Sequence, residues 1–140
     1  QQVYMPLAPL VAAAAYPSEP DSVAPGTIER LLRKTGLGHR LDAGNQSAAD
    51  LSVGEQQRLA LVRLILARPD WAFLDEATSA LDVETEKQVM SLLRAELPDT
   101  TFVIVAHREP QGLGSVRNIP LGVGPCSPAD TAASDYLVRA

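Results

Sequence analysis

Two places in this chain combine residue types that chemistry uses. In the first, Ser52-Val53-Gly54-Glu55 opens a helical pattern. A helix N-terminus presents unpaired N–H groups and the positive end of the dipole, so it favours an anion, and Gly54 allows close backbone approach. In the second, Trp71-Ala72-Phe73-Leu74 runs into Asp75-Glu76. Acids at the end of a buried strand emerge at the carboxyl edge of a sheet, where α/β proteins bind ligands. Each has a bland counterpart: an ordinary capped helix, and a pair of solvated acids in a turn. His107, after a second apolar run, is by itself more often structural than catalytic.

The elements that must hold these residues follow from pattern. Thr27 can cap a short helix over Ile28–Thr35 that ends at Gly36, a C′ glycine. Ser52-x-x-Glu55 is a capping box. Leu59, Val62, Ile65 and Leu66 recur at three- and four-residue spacing, which predicts an amphipathic helix over Gly54–Arg68 stopped by Pro69. Trp71–Leu74 is short and apolar, suited to a buried parallel strand. Asp82 can cap a helix over Val83–Leu97 with Val89, Leu92 and Leu93 inward, and Thr100–Val105 is β-branched and apolar, a second buried strand. Strand, helix, strand at this spacing is a right-handed βαβ unit. Before these, Pro6, Pro9, Pro17 and Pro20 break Gln1–Ala24 into a loop with one short helix at Leu10–Ala15. After them, Glu109–Ala140 is rich in Gly and Pro and reads as loop-like or disordered, with extended structure at Arg117–Val123.

Taken together, Leu51-Ser52-Val53-Gly54-Glu55-Gln56-Gln57-Arg58, Leu74-Asp75-Glu76, Ser79-Ala80-Leu81-Asp82 and Val105-Ala106-His107 resemble the second half of an ATP-binding-cassette (ABC) ATPase domain: signature loop, Walker B strand, D-loop and switch histidine. The resemblance implies an α/β chain, a partial P-loop NTPase fold with a helical signature subdomain and a parallel βαβ unit. It covers residues 1–108, a partial ATPase domain, and leaves 109–140 as a divergent tail. It implies that Ser52, Val53, Gly54 and Glu55 contact the γ-phosphate of ATP held by a second ABC ATPase domain in a dimer sandwich, and that Asp82 runs along the seam. It implies that Asp75 holds Mg²⁺, that Glu76 polarises the attacking water, and that His107 contacts the γ-phosphate. Gln1, or Gln2, matches the Q-loop glutamine that meets metal and water. Tyr4-Met5-Pro6, Tyr16-Pro17 and the acid Glu55 are most similar to the fused bacterial peptide-uptake (SbmA/BacA-like) and peroxisomal fatty-acyl transporter branch.

One motif is absent. A Walker A loop needs G-x-x-x-x-G-K-[ST], in which backbone N–H groups and the lysine hold the phosphates. Lys34 follows Arg33 and Lys87 follows Glu86, so neither lysine fits. The expectation is a fragment that does not hydrolyse ATP alone, whose parent drives a transmembrane domain from the cytoplasmic face of a bacterial inner membrane. The alternatives are a soluble ABC-type ATPase acting on DNA or ribosomes, and a non-functional remnant.

Composition is consistent with this. A net charge of −5 gives no electrostatic footprint for nucleic acid. The single Cys126 excludes an intrachain disulfide framework and reads as a lone thiol. No segment has the roughly 20 apolar residues that span a bilayer. Arg58 and Arg63 read as solvated or ion-paired helix residues, and His39 as a surface residue.

Overall fold

A computed structural model describes residues 4–44, 47–106, 111–114, 116–120 and 136–139. The chain divides after Arg68 into two compact units.

The first unit is helical: α1 (Leu10–Ala15), α2 (Thr27–Lys34), α3 (Gly38–Asp42) and α4 (Val53–Ala67), with single 3₁₀ turns at Pro20–Ser22 and Ala48–Asp50. Helix α2 buries Ile28, Leu31 and Leu32 and keeps its charges outward. Its C-terminus closes as the pattern predicts. Gly36 has φ 76, the Leu37 N–H donates to Leu32 O (2.7 Å), and the Gly36 N–H donates to Arg33 O (3.1 Å), a Schellman closure. Arg58 reaches across from α4 and donates to Thr35 O (3.3 Å), one of the orphaned carbonyls of that terminus. A Cβ on residue 36 would lie 2.7 Å from the Arg58 guanidinium and would push that flexible side chain aside, so it is the left-handed backbone that calls for glycine.

Helix α4 starts and stops where the sequence says. Ser52 caps it, Arg68 closes it with φ 46, and Pro69 follows. Its buried arc differs from the pattern. Leu59, Val62 and Ile65 are buried as expected, but Leu61 joins them and Leu66 is only half-buried. The buried arc extends past one side of the predicted stripe, through Leu61 and Gln57, so simple periodicity is blurred.

The second unit contains β1 (Trp71–Asp75), α5 (Val83–Glu96), β2 (Thr101–Val105), β3 (Arg117–Pro120) and β4 (Tyr136–Arg139). The sheet order is β1-β2-β4-β3, with each neighbouring pair parallel. Strands β1 and β2 pair from Trp71↔Thr101 to Asp75↔Val105, giving the expected βαβ unit. Below the ladder, the Thr100 hydroxyl donates to Pro69 O (2.6 Å), which fixes where both strands begin. The core here is Ala72, Leu74, Phe102 and Ile104 from the strands with Val89, Met90 and Leu93 from α5. Met90, not Leu92, fills the inward row of α5.

The expectation of a strand buried on both faces is corrected. Strand β1 is an edge strand whose side chains alternate: Ala72 and Leu74 are buried, while Trp71 is 56% and Phe73 76% exposed. Its composition describes a strand covered on both faces, whereas here only one face is covered.

The tail is partly ordered into the sheet. Strand β3 falls inside the stretch expected to be extended; β4 carries no strong pattern signal. Before β3, Gly112 lies against α5 with φ 98, and Leu113 is buried. A Cβ on Gly112 would meet Lys87 O at 2.5 Å and the Ser91 hydroxyl at 2.7 Å, so only glycine permits this approach.

Candidate functional site

The anion-favouring helix start is built as a reciprocal capping box. The Glu55 N–H donates to the Ser52 hydroxyl (3.4 Å), and the Ser52 N–H donates to Glu55 Oε2 (2.8 Å). That uses two of the donors at the helix end. Val53 and Gly54 supply the remaining N–H groups of the first turn, and Val53 is 63% exposed.

Glu55 has a second task that its position in a capping box does not reveal. Its side chain is buried, and it accepts a fork from Arg40: Nε to Oε1 at 2.8 Å and Nη2 to Oε2 at 2.9 Å. His39 Nε2 lies 3.0 Å from Oε1. His39 is exposed, as expected of a surface residue, yet it faces a carboxylate. The Arg40 fork, then the Ser52 N–H and hydroxyl, hold the Glu55 carboxyl well below the usual carboxylate range, against the opposing effect of burial. A buried acid requires such partners. Neither the burial of Glu55 nor the identity of Arg40, 15 residues away, is legible from the sequence.

A pH dependence follows. Folding lowers the Glu55 pKa, so the folded chain binds fewer protons there than the unfolded chain. The stabilisation is complete above the ordinary glutamate value of about 4.3 and drains as pH falls below it toward the depressed folded value. Urea unfolding from pH 7 to pH 3 is expected to show Glu55→Gln less stable than wild type at pH 7, with the gap closing toward pH 3. Parallel profiles would refute this coupling.

In the second unit, Asp75 and Glu76 stand exposed at the carboxyl end of β1, as the pattern predicts. The Glu76 N–H donates to Val105 O (2.9 Å), carrying the β1–β2 ladder one residue further. Glu76 then takes φ 47, the left-handed region that a side chain other than glycine's adopts at a cost. This turns the chain sharply from the sheet and sets the Glu76 side chain at its edge. The Ser79 N–H returns to Glu76 O (3.1 Å), and the turn runs on to Asp82.

Asp82 caps α5. Its Oδ1 accepts from the Thr85 N–H (2.9 Å) and its Oδ2 from the Thr85 hydroxyl (2.7 Å). Those bonds, the backbone one first, lower its pKa. Between the two acids, Thr78 donates its hydroxyl to Glu86 Oε1 (2.6 Å), and both residues are buried. Nothing in the local pattern singles out Glu86, since an acid in a first helical turn is ordinarily explained by the helix dipole.

Ser52–Glu55 therefore belong to one compact unit and the acids Asp75, Glu76 and Asp82 to the other. Gln1, Gln2 and His107 lie outside the described residues. The arginines read as solvated or ion-paired do something else: Arg58 caps α2, and Arg63 donates to Ala13 O and Tyr4 O, both at 2.7 Å. Among the described residues, no group of three or more His, Cys, Asp or Glu forms a metal cage, and no helix is long and apolar enough to cross a membrane.

Residues 11–79 match the family model for the ABC transporter. An uncharacterized ABC transporter ATP-binding protein of Haemophilus influenzae is 43% identical over 111 residues, covering 77% of this chain and 19% of that protein. The inner membrane ABC transporter ATP-binding protein YddA of Escherichia coli is 39% identical over 85 residues, 59% of this chain and 15% of its own length. The mitochondrial iron-sulfur clusters transporter ATM1 of Yarrowia lipolytica is 41% identical over 81 residues, 58% of this chain and 11% of its own. The chain thus spans less than a fifth of the length of each of these relatives. With the capped helix α4 and the acid-ended parallel βαβ unit, these matches give the chain the α/β fold of a partial P-loop NTPase, similar to part of an ABC transporter ATP-binding domain.

Proposed function

We propose that this chain is the signature-to-switch half of an ATPase domain that powers transport across a membrane. The observation that carries the reading is the edge formed by Asp75 and Glu76 at the end of β1, joined through a braced turn to the Asp82-capped helix. Relatives described as transporter ATP-binding proteins support it.

In this reading residues 1–108 form the partial ATPase domain and 109–140 a divergent continuation. Val53 and Gly54, beside Ser52, offer N–H groups and the helix its dipole to the γ-phosphate of ATP, and Glu55 holds that loop in shape. Asp75 is a hard oxygen ligand of the kind Mg²⁺ takes, since this ion is usually held by one or two carboxylates plus substrate phosphates rather than by a protein cage. When bound, the ion neutralises phosphate charge. Glu76 accepts a proton from, or orients, the attacking water. Gln1 and His107 complete the shell, Asp82 lies along the seam, and a second ATPase domain closes the sandwich. A transmembrane domain receives the motion on the cytoplasmic face of a bacterial inner membrane, and the transporter is of the fused SbmA/BacA-like and peroxisomal fatty-acyl branch. The inner-membrane name of one relative supports that location. The net charge of −5 weighs against the DNA- or ribosome-directed alternative.

Because no G-x-x-x-x-G-K sequence is present, the chain alone is expected neither to bind ATP tightly nor to hydrolyse it. Calorimetry of ATP binding, with the chain alone and then mixed with a separately expressed polypeptide bearing that loop, tests the reading. Binding and Mg²⁺-dependent turnover only on mixing is the expected result. Turnover by the pure chain would overturn the inactivity, and no binding in either case would favour the remnant.

A further inference from the structure

Glu86 is a buried acid for which the proposed mechanism has no use. It is 3% exposed on the first turns of α5, and the Thr78 hydroxyl donates to its Oε1 at 2.6 Å from the turn that follows Glu76. Burying a carboxylate is costly unless hydrogen bonds hold it, so a fold that keeps one in this place gains in geometry, not in solvation. Further ties of the turn include Glu76 N–H to Val105 O (2.9 Å), Ser79 N–H to Glu76 O (3.1 Å) and Leu81 N–H to Thr78 O (3.0 Å). Each is short-range along the turn or belongs to the sheet. Thr78–Glu86 is a buried side-chain bond that ties the middle of the turn to the helix.

We propose that Glu86, acting through Thr78, is a positioning residue that fixes the Glu76–Asp82 turn. Resting on the ATPase reading above, this makes the pair set the aim of the Glu76 carboxylate, whose backbone sits at φ 47 and has no local preference for that conformation. It sets the path of Ser79–Asp82 as well. Asp82 anchors one end of the stretch through its cap, and the β1–β2 ladder anchors the other. The middle is held by the buried pair.

The test uses the full chain and two readouts. Thr78→Val removes the donor and keeps the shape, Thr78→Ser keeps the donor, and Glu86→Gln keeps an acceptor oxygen while removing the charge. Amide hydrogen exchange of Ser79 and Leu81 is expected to rise about tenfold or more in Thr78→Val, and to stay near wild type in Thr78→Ser and Glu86→Gln. The amides of Val89 and Leu93 in α5 should keep their protection in each variant. If Thr78→Ser loosens the turn as much as Thr78→Val, or if exchange rises equally along α5, the pair is packing and the proposal is wrong. In the chain mixed with the loop-bearing half, Thr78→Val should lower kcat for ATP with KM little changed, and Thr78→Ser should restore it; unchanged kcat would refute the catalytic part. A wild-type mixture that never turns over would overturn the ATPase reading, while the exchange result still decides the brace.

Discussion

Glu76→Gln lowers ATP turnover of the completed domain by about two to four orders of magnitude, the range a positioned general base contributes, and leaves nucleotide binding intact. The structure makes the substitution a clean one. Glu76 is exposed and fills no core position, and its N–H bond to Val105 O is made by the backbone. Glutamine keeps the shape and the hydrogen-bonding reach and removes only the ability to take a proton. Asp75→Asn should behave differently, weakening the Mg²⁺ dependence of binding as well as turnover, because it removes a charge from the metal side of the pair. A third variant separates function from folding. A left-handed backbone costs a residue other than glycine about 1–2 kcal/mol, whereas glycine adopts it freely. Glu76→Gly should therefore be at least as stable as wild type by urea unfolding while losing turnover. A side chain held at such a cost is expected where it does chemistry. Turnover of Glu76→Gln within threefold of wild type would show that this acid is not the base.

The sequence reading of the elements succeeds where local chemistry decides and fails where tertiary cover decides. Ser52, Glu55, Pro69 and Asp82 mark helix ends because caps and a missing N–H act within one turn, and those ends stand where expected. Gly36 likewise marks the end of α2. Leu61, Leu66, Leu92 and Met90 are misplaced by pattern because which side of a helix is covered depends on neighbours distant in sequence. Trp71 and Phe73 show this most plainly. Their apolar character asks for cover that β1, as an edge strand, does not have. Exposed apolar surface of this kind invites association. Trp71 is the single tryptophan, so its emission is a ready monitor of whether a complementing half covers that face.

The candidate site divides the same way. Its first residues are legible because they form contiguous strings: Ser52–Glu55, Asp75–Glu76 and Ser79–Asp82. The residues that hold them are not, since Arg40 lies 15 positions before Glu55 and Glu86 looks like any helix-start acid. A buried charge announces that a partner exists without naming it. Only the fold supplies the name.

Arg63→Ala is expected to destabilise the helical unit by about 2–4 kcal/mol, more than any exposed ion pair would. The guanidinium is half-buried and spans three parts of the unit. Its Nε reaches Ala13 O in α1, and its Nη1 reaches Tyr4 O in the segment before α1, both at 2.7 Å. Its plane also lies 5.9 Å from the Tyr16 ring centroid, and Tyr16 in turn stacks at a tilt on Tyr4, 5.3 Å away. Charge-assisted bonds to carbonyls contribute about 1.5–3 kcal/mol each, and the ring contact adds about 0.5–1. Water replaces the bond at the exposed Tyr4 carbonyl, so the range counts the Ala13 bond and the ring contact alone. Burial lowers the Arg63 pKa, but a guanidinium stays charged at neutral pH, so the loss should be independent of pH between 6 and 9. Arg63→Lys discriminates fork from charge. An ammonium satisfies one carbonyl and cannot lie flat beside the ring, so lysine should recover less than half of the loss. The urea midpoint gives the stability, and tyrosine emission reports whether Tyr4 and Tyr16 remain paired. If lysine restores full stability, Arg63 is acting as a point charge. If alanine costs less than about 0.5 kcal/mol, the strut carries no load, and the segment before α1 is held by its apolar contacts alone.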